Sequence, residues 1–311
     1  MSASKQYSSA SLHITSALDR RGLREELREL WLYRSLIPVL ARRELKLRYK
    51  NSIIGVGWSL SSPLIQVLVL TLAIHNILGT GPRNMSAFIF CAYVPWTFFQ
   101  TGILDSSMSV LHQLDLSKKV YFPREIPVIA AVAANFVHFL ISLGVFIVYH
   151  WVVTPIFLGW PGLPPWQIVF LPVVIAIEFM LILGISFYVS AWNVFYEDVK
   201  FMLTMVLSFL FYLLPIIYVT EQLRYSDKIP VALRAPLYHA YLAMPLAWVI
   251  TAFRQVFFRP QNVGPIPGHA YVPLAPFDIR FMVIAAVLSV AICLGGYRTF
   301  NSLKWRFTER P

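Results

Sequence analysis

Residues 41–63 read ARRELKLRYKNSIIGVGWSLSSP, and the fold follows from them. Five cations (Arg42, Arg43, Lys46, Arg48 and Lys50) stand against one carboxylate, Glu44, and lead into a segment without Asp, Glu, Lys or Arg from residue 51 to residue 82. Lys and Arg are retained on the cytoplasmic side of a bilayer, and a charge at the centre of a spanning helix costs about 2.5–3.5 kcal/mol on insertion scales. The basic cluster is therefore expected inside, with the chain crossing outward from about Ile53.

Composition points the same way. The 311 residues are 58% hydrophobic and 13% charged, with mean hydropathy +0.64, whereas soluble domains carry about 25% charged residues. A net charge of +11 raises the question of nucleic acid, and the placement of the charges answers it. Of 26 Lys and Arg, 11 precede Asn51, three lie within 118–124, one is Lys200 and four follow Gly296. The excess marks a cytoplasmic face rather than a nucleic-acid patch. Cys91 and Cys293 sit in apolar segments without metal spacing and read as small buried hydrophobes. The first 50 residues are polar and basic, with no signal-peptide core, so the first membrane helix is expected to direct insertion.

The predicted fold is an all-α polytopic membrane protein. Residues 1–21, rich in Ser and Ala, are expected to be a disordered cytoplasmic tail. Residues 22–52 comprise an amphipathic helix (GLREELRELWLYRS, with Leu23, Leu27, Leu30 and Trp31 at helical spacing) and the basic flank. Residues 53–300 form the transmembrane domain, with spans at about 53–78, 86–104, 126–151, 166–192, 201–219 and 277–297. Residues 301–311 are a cytoplasmic tail. Asp105 falls at the cytoplasmic end of the second span. Residues 235–253 are also free of Asp, Glu, Lys and Arg. A full crossing there would carry Arg298, Lys304, Arg306 and Arg310 to the wrong side, so 231–258 is read as a re-entrant hairpin on the outside, broken at Pro245. Glu178 lies 12 residues into the fourth span, or about 18 Å of helix. An intramembrane carboxylate is a functional candidate, the alternative being a carboxyl protonated or hydrogen-bonded between packed helices.

Four stretches carry a family resemblance: the opening one, KKVYFPREIP (118–127), WNVFYEDV (192–199) and AMPLAWVITAFRQV (243–256). In this order, and on consistent sides of the membrane, they resemble the membrane subunits of type-two ABC exporters, closest to the branch exporting O-antigen and teichoic-acid polysaccharides. Two departures are Ala243, where the family often has a polar residue, and Glu197, where a basic residue commonly precedes Asp198.

The resemblance implies a non-enzymatic permease in the bacterial cytoplasmic (inner) membrane, with both termini inside. It implies a homodimer working with two copies of a separate ABC ATPase on a lipid-linked glycan. The chain carries no G-x-x-x-x-G-K-[ST] loop, so no cofactor is expected here, with ATP and Mg used by the partner subunit. The first inside loop, residues 114–127, would carry a short coupling helix at about 115–124, with Tyr121 and Phe122 as apolar anchors beside Pro123, and Lys118, Lys119 and Arg124 as a polar rim; Glu197 and Asp198 would share its face. The alternative is a loop whose charges set topology only. Trp58, Tyr93, Trp96, Phe98 and Phe99 are candidates for an aromatic path along which sugar rings slide, the alternative being packing or interfacial anchoring. Arg42, Arg43 and Lys46 would attract a pyrophosphate or lipid head group. Competing functions are a permease for a drug or another lipid, and a membrane-embedded glycosyl or prenyl transferase. Against the transferase, the loop carboxylates are scattered without a D-x-D pair, and His75, His138 and His150 form no ligand set.

Overall fold

The computed structural model describes residues 23–48, 50, 56–77, 79, 82, 84–117, 122–158, 164–196, 198–225, 229–259, 263 and 272–308. The expected N-terminal tail lies outside these residues. Every extended regular element among the described residues is a helix.

Helix α1, Leu23–Leu32, is built from strong helix formers with Glu25 and Glu26 in its first turn, where carboxylates oppose the helix dipole favourably. A short turn, closed by Leu36 N–H donating to the Tyr33 carbonyl at 2.9 Å, leads into α2, Leu36–Arg48. Helix α3, Val56–Thr71, continues as a π-helical turn over Leu72–Ile77. Helix α4, Met85–Ser117, is 33 residues long, or about 50 Å. It runs well past the expected end of the span near residue 104, and the Asp105 carboxylate at that point is met by the Arg48 guanidinium and by Asn135 Nδ2 at 2.8 Å.

Helix α5, Glu125–Val148, continues through a π turn, Tyr149–Val153, and a last α turn, Thr154–Leu158, so helical backbone extends beyond the expected end at 151. A 3-10 turn at Trp166–Phe170 opens α6, Leu171–Phe195. Helix α7, Val199–Leu213, stops earlier than the expected 219. The cause is local: Leu214 precedes Pro215 and is extended (φ −79, ψ 155), the conformation that a following proline imposes. After short α8, Glu221–Tyr225, helices α9, Val231–Leu242, and α10, Pro245–Phe257, meet at 91°. The same rule acts there, since Met244, extended at ψ 119, precedes Pro245. Helix α11, Ile279–Leu303, is capped by Asp278 accepting from Arg280 N–H at 2.8 Å, and ends in a 3-10 turn, Lys304–Thr308.

Among the described residues, four helical stretches are long and apolar enough to cross a membrane: Met85–His112, Glu125–Ile156, Trp166–Phe195 and Ile279–Leu303; the bent α9–α10 pair would make a fifth. The core surrounds α4 and α10. Every residue of α10 from Leu246 to Phe257 is buried, as are Phe88, Phe90, Trp96, Phe98 and Phe99 of α4. Helices α6 and α11 meet backbone to backbone: a Cβ on Gly296 would lie 2.2 Å from the Gly184 carbonyl oxygen. Only glycine permits this approach, the close small-residue crossing by which membrane helices gain contact.

Candidate functional site

Two polar clusters stand out from this apolar frame, one at each end of the bundle. The first gathers around Lys304, at the end of α11. Its Nζ lies 2.7 Å from Glu125 Oε1 and 3.3 Å from Glu26 Oε1, while Asn301 Nδ2 donates to the other Glu26 oxygen. Arg124 donates to the Lys304 carbonyl and stands 5.6 Å above the Phe307 ring. The side chain of Glu125 is 3% exposed and that of Lys304 13%, so the pair is largely screened from water. Residues from α1, the first inside loop, α5 and the carboxyl-terminal turn are thereby tied together.

The expected coupling residues are placed unevenly. Lys118, Lys119, Tyr121 and Glu197 lie outside the described residues. Phe122 is half-buried and packs on this chain's own N-terminal helices, beside Leu40, Ile126, Leu36 and Ile37. Pro123 is buried and its carbonyl accepts from Ile126 N–H at 3.1 Å. Arg124 is turned inward as described above. Asp198 is exposed at the start of α7, beside exposed Lys200.

On α2, Leu40 and Ala41 face the bundle while Arg42, Arg43 and Lys46 are exposed. Arg48, on the same helix, is committed to Asp105 and donates to Asn135 Oδ1 at 3.2 Å.

The aromatic candidates also divide. The side chain of Trp58 lies outside the described residues. Phe98 is enclosed by Phe139 at 4.9 Å, Phe136 at 5.7 Å and Phe179 at 6.4 Å; Trp96 contacts Phe99 at 6.0 Å and Phe211 at 5.8 Å. Trp96, Phe98 and Phe99 are at most 3% exposed and pack in the core of the chain. Their proximity on one helix could not reveal this, because α5, α6 and α7 supply the covering rings. Tyr93 alone is half-buried, edge-on to Phe211 at 6.2 Å. Glu178 is fully buried on α6, and among the described residues neither of its oxygens has a hydrogen-bond partner.

The second cluster, at the opposite end, centres on Arg254 of α10. Its guanidinium donates to the carbonyls of Tyr218 (2.7 Å), Ile216 (2.8 Å) and Phe88 (3.3 Å), and the hydroxyls of Tyr218 and Tyr241, 2.7 Å apart, converge on the Leu213 carbonyl. The irregular backbone after α7 would otherwise bury unpaired acceptors, each costing about 1–3 kcal/mol. Arg254 thus stitches the unwound segment to α10 and α4. Glu221 lies next to this segment and accepts from Ala275 N–H at 2.8 Å. Burial pushes its carboxyl above the ordinary carboxylate range, against the opposing pull of that N–H and of Arg254. The sequence signal for this role is a lone cation that ends a run without other charges, residues 235–253.

Comparison with known proteins identifies the family. The ABC-2 type transporter family matches residues 35–258. The chain is 26% identical over 283 residues, 91% of its length and 98% of the relative's, to the O-antigen export system permease protein RfbA of Myxococcus xanthus. Two proteins of the same name from Klebsiella pneumoniae are each 25% identical, over 276 and 279 residues, covering 88% of this chain and 94% of their own length. A family match spanning both the basic entry helix and the Arg254 helix, on a bundle with multiple membrane-crossing helices, places this chain in the ABC-2 type transporter family.

Proposed function

We propose that this chain is the transmembrane subunit of an ATP-driven exporter that passes a lipid-linked polysaccharide of the O-antigen type across the cytoplasmic membrane. The observation that carries the reading is the similarity to O-antigen export permeases over nearly the whole of both chains. Two copies pair and work with two copies of a separate ABC ATPase. Each copy crosses six times, with α3 and α7 as the first and fifth spans and the α9–α10 pair re-entering from the outside. The outward apolar side chains of α7, including Phe209 at 80% exposure, suit a hydrocarbon or second-subunit neighbour.

Both termini lie inside. ATP binding moves the first inside loop, and the Glu26–Lys304–Glu125 brace carries that displacement into α1, α5 and α11. Arg42, Arg43 and Lys46, exposed beside the membrane entry, attract the pyrophosphate of the lipid carrier. Tyr93 contributes to the path from its half-buried position.

The test is reconstitution of the chain with its ATPase in sealed vesicles containing lipid-linked glycan. ATP-dependent movement of glycan into the compartment opposite the ATPase supports the reading. ATP hydrolysis by this chain alone, or transfer without the ATPase, overturns it.

A further inference from the structure

A cleft of about 170 Å³ opens beside the bent helix pair, between α9, α10 and the start of α11. Its walls include Tyr238, His239, Trp248 and Phe281, with Arg224 and Asp278 at the same opening. Trp248 is 2% exposed and Tyr238 6%, so these walls are anchored in the core, whereas His239 is exposed. The His239 and Phe281 rings lie nearly parallel, 16° apart with centroids 6.0 Å from each other. Gln255 fixes one side by donating to the carbonyls of Ala275 (3.1 Å) and Pro276 (3.4 Å). Among the described residues neither Arg224 nor Asp278 is in an ion pair.

This combination selects a class of ligand. An anion would meet the Asp278 carboxylate and a cation the Arg224 guanidinium, so neither is favoured. A neutral polyol with one apolar C–H face suits both halves: the aromatic faces take the C–H side, and the guanidinium and carboxylate take hydroxyls as donor and acceptor. A cleft of about 170 Å³ holds several waters, and so has room for one sugar ring. We propose that this cleft is a carbohydrate site that holds one ring of the glycan as it leaves the outer face of the membrane. It rests on the exporter reading for its side of the membrane and deepens that reading by giving the emerging chain a place to bind.

The probe is the lipid-free polysaccharide released by mild acid from the producing cells, added to the full permease–ATPase complex in nanodiscs and followed by saturation-transfer NMR. Transfer to sugar-ring protons is expected, weakened about five- to tenfold by Phe281→Ala and by His239→Ala, and kept by Phe281→Tyr, which preserves the ring face. His239 is exposed, so its replacement tests the site without disturbing the core. Absence of transfer in the unaltered complex, or transfer in both alanine variants as strong as in the unaltered complex, overturns the assignment. The same complex in vesicles separates the two ideas. Glycan export without cleft binding removes only the carbohydrate site, whereas failure of ATP-driven glycan export removes the exporter reading as well.

Discussion

Lys304 Nζ lies 2.7 Å from Glu125 Oε1, joining the end of the last helix to the first residue of the helix that follows the first inside loop. The two residues are 179 positions apart in the chain. Removing the cation strands a carboxylate whose side chain is only 3% exposed. Lys304→Met should therefore destabilise the protein by about 3 kcal/mol. The double variant Lys304→Met with Glu125→Gln should recover part of that loss. Thermal unfolding of the detergent-solubilised protein measures both; equal midpoints for the single variant and the parent would contradict the brace.

The crossing of α6 and α11 is the second point of leverage. A methyl on Gly296 meets the Gly184 carbonyl oxygen at 2.2 Å, whereas a methyl on Gly144 of α5 meets nothing within 4 Å. Gly296→Ala should cost about 1–3 kcal/mol through forced helix separation, and Gly144→Ala should cost nothing measurable. Fluorescence-detected size exclusion after graded heating distinguishes them.

Much of this architecture was legible in residue order, and what was not has a physical cause. Apolar length and basic flanks locate helices because they report a one-dimensional solvation cost. Pro245 marks the break in the hairpin because a proline restricts the residue before it, whatever the surroundings; Pro215 acts by the same rule, yet the unbroken apolar run around it reads as a span continuing to 219. The brace was illegible, since Glu26 and Lys304 are 278 positions apart and nothing local announces their meeting. Trp96, Phe98 and Phe99 looked like lining because a helix carrying many aromatics reads the same whether its neighbours cover those rings or leave them bare.

Arg254 supplies donors to three backbone carbonyls on two separate segments. Arg254→Lys keeps the charge but loses the planar fork, and a single ammonium cannot span the same acceptors. The variant should lose about 2 kcal/mol or more and admit protease to the segment around residues 214–220. Unchanged proteolysis at that segment would show that its shape does not depend on the guanidinium.

Glu221 offers a pH test. Its folded-state pKa lies above the ordinary value of 4.5 because burial penalises the charged form. The stabilisation is thus fully present below the unfolded value and disappears as pH rises through the folded one. The unfolding midpoint should fall as pH climbs upward from 4.5, and Glu221→Gln should flatten that part of the profile. A profile of the same shape in both proteins would assign the pH dependence elsewhere.

Which end of the bundle faces the ATPase is the claim on which the transport account depends, and thiol labelling addresses it most directly. With Cys91 and Cys293 replaced, single cysteines are placed at Ser302, exposed beside Lys304, and at His239, exposed in the cleft. In intact cells a membrane-impermeant maleimide should modify the cysteine at 239 and spare the one at 302 until the membrane is permeabilised. Labelling at 302 in intact cells, or protection at 239 relieved only by permeabilisation, would contradict the account.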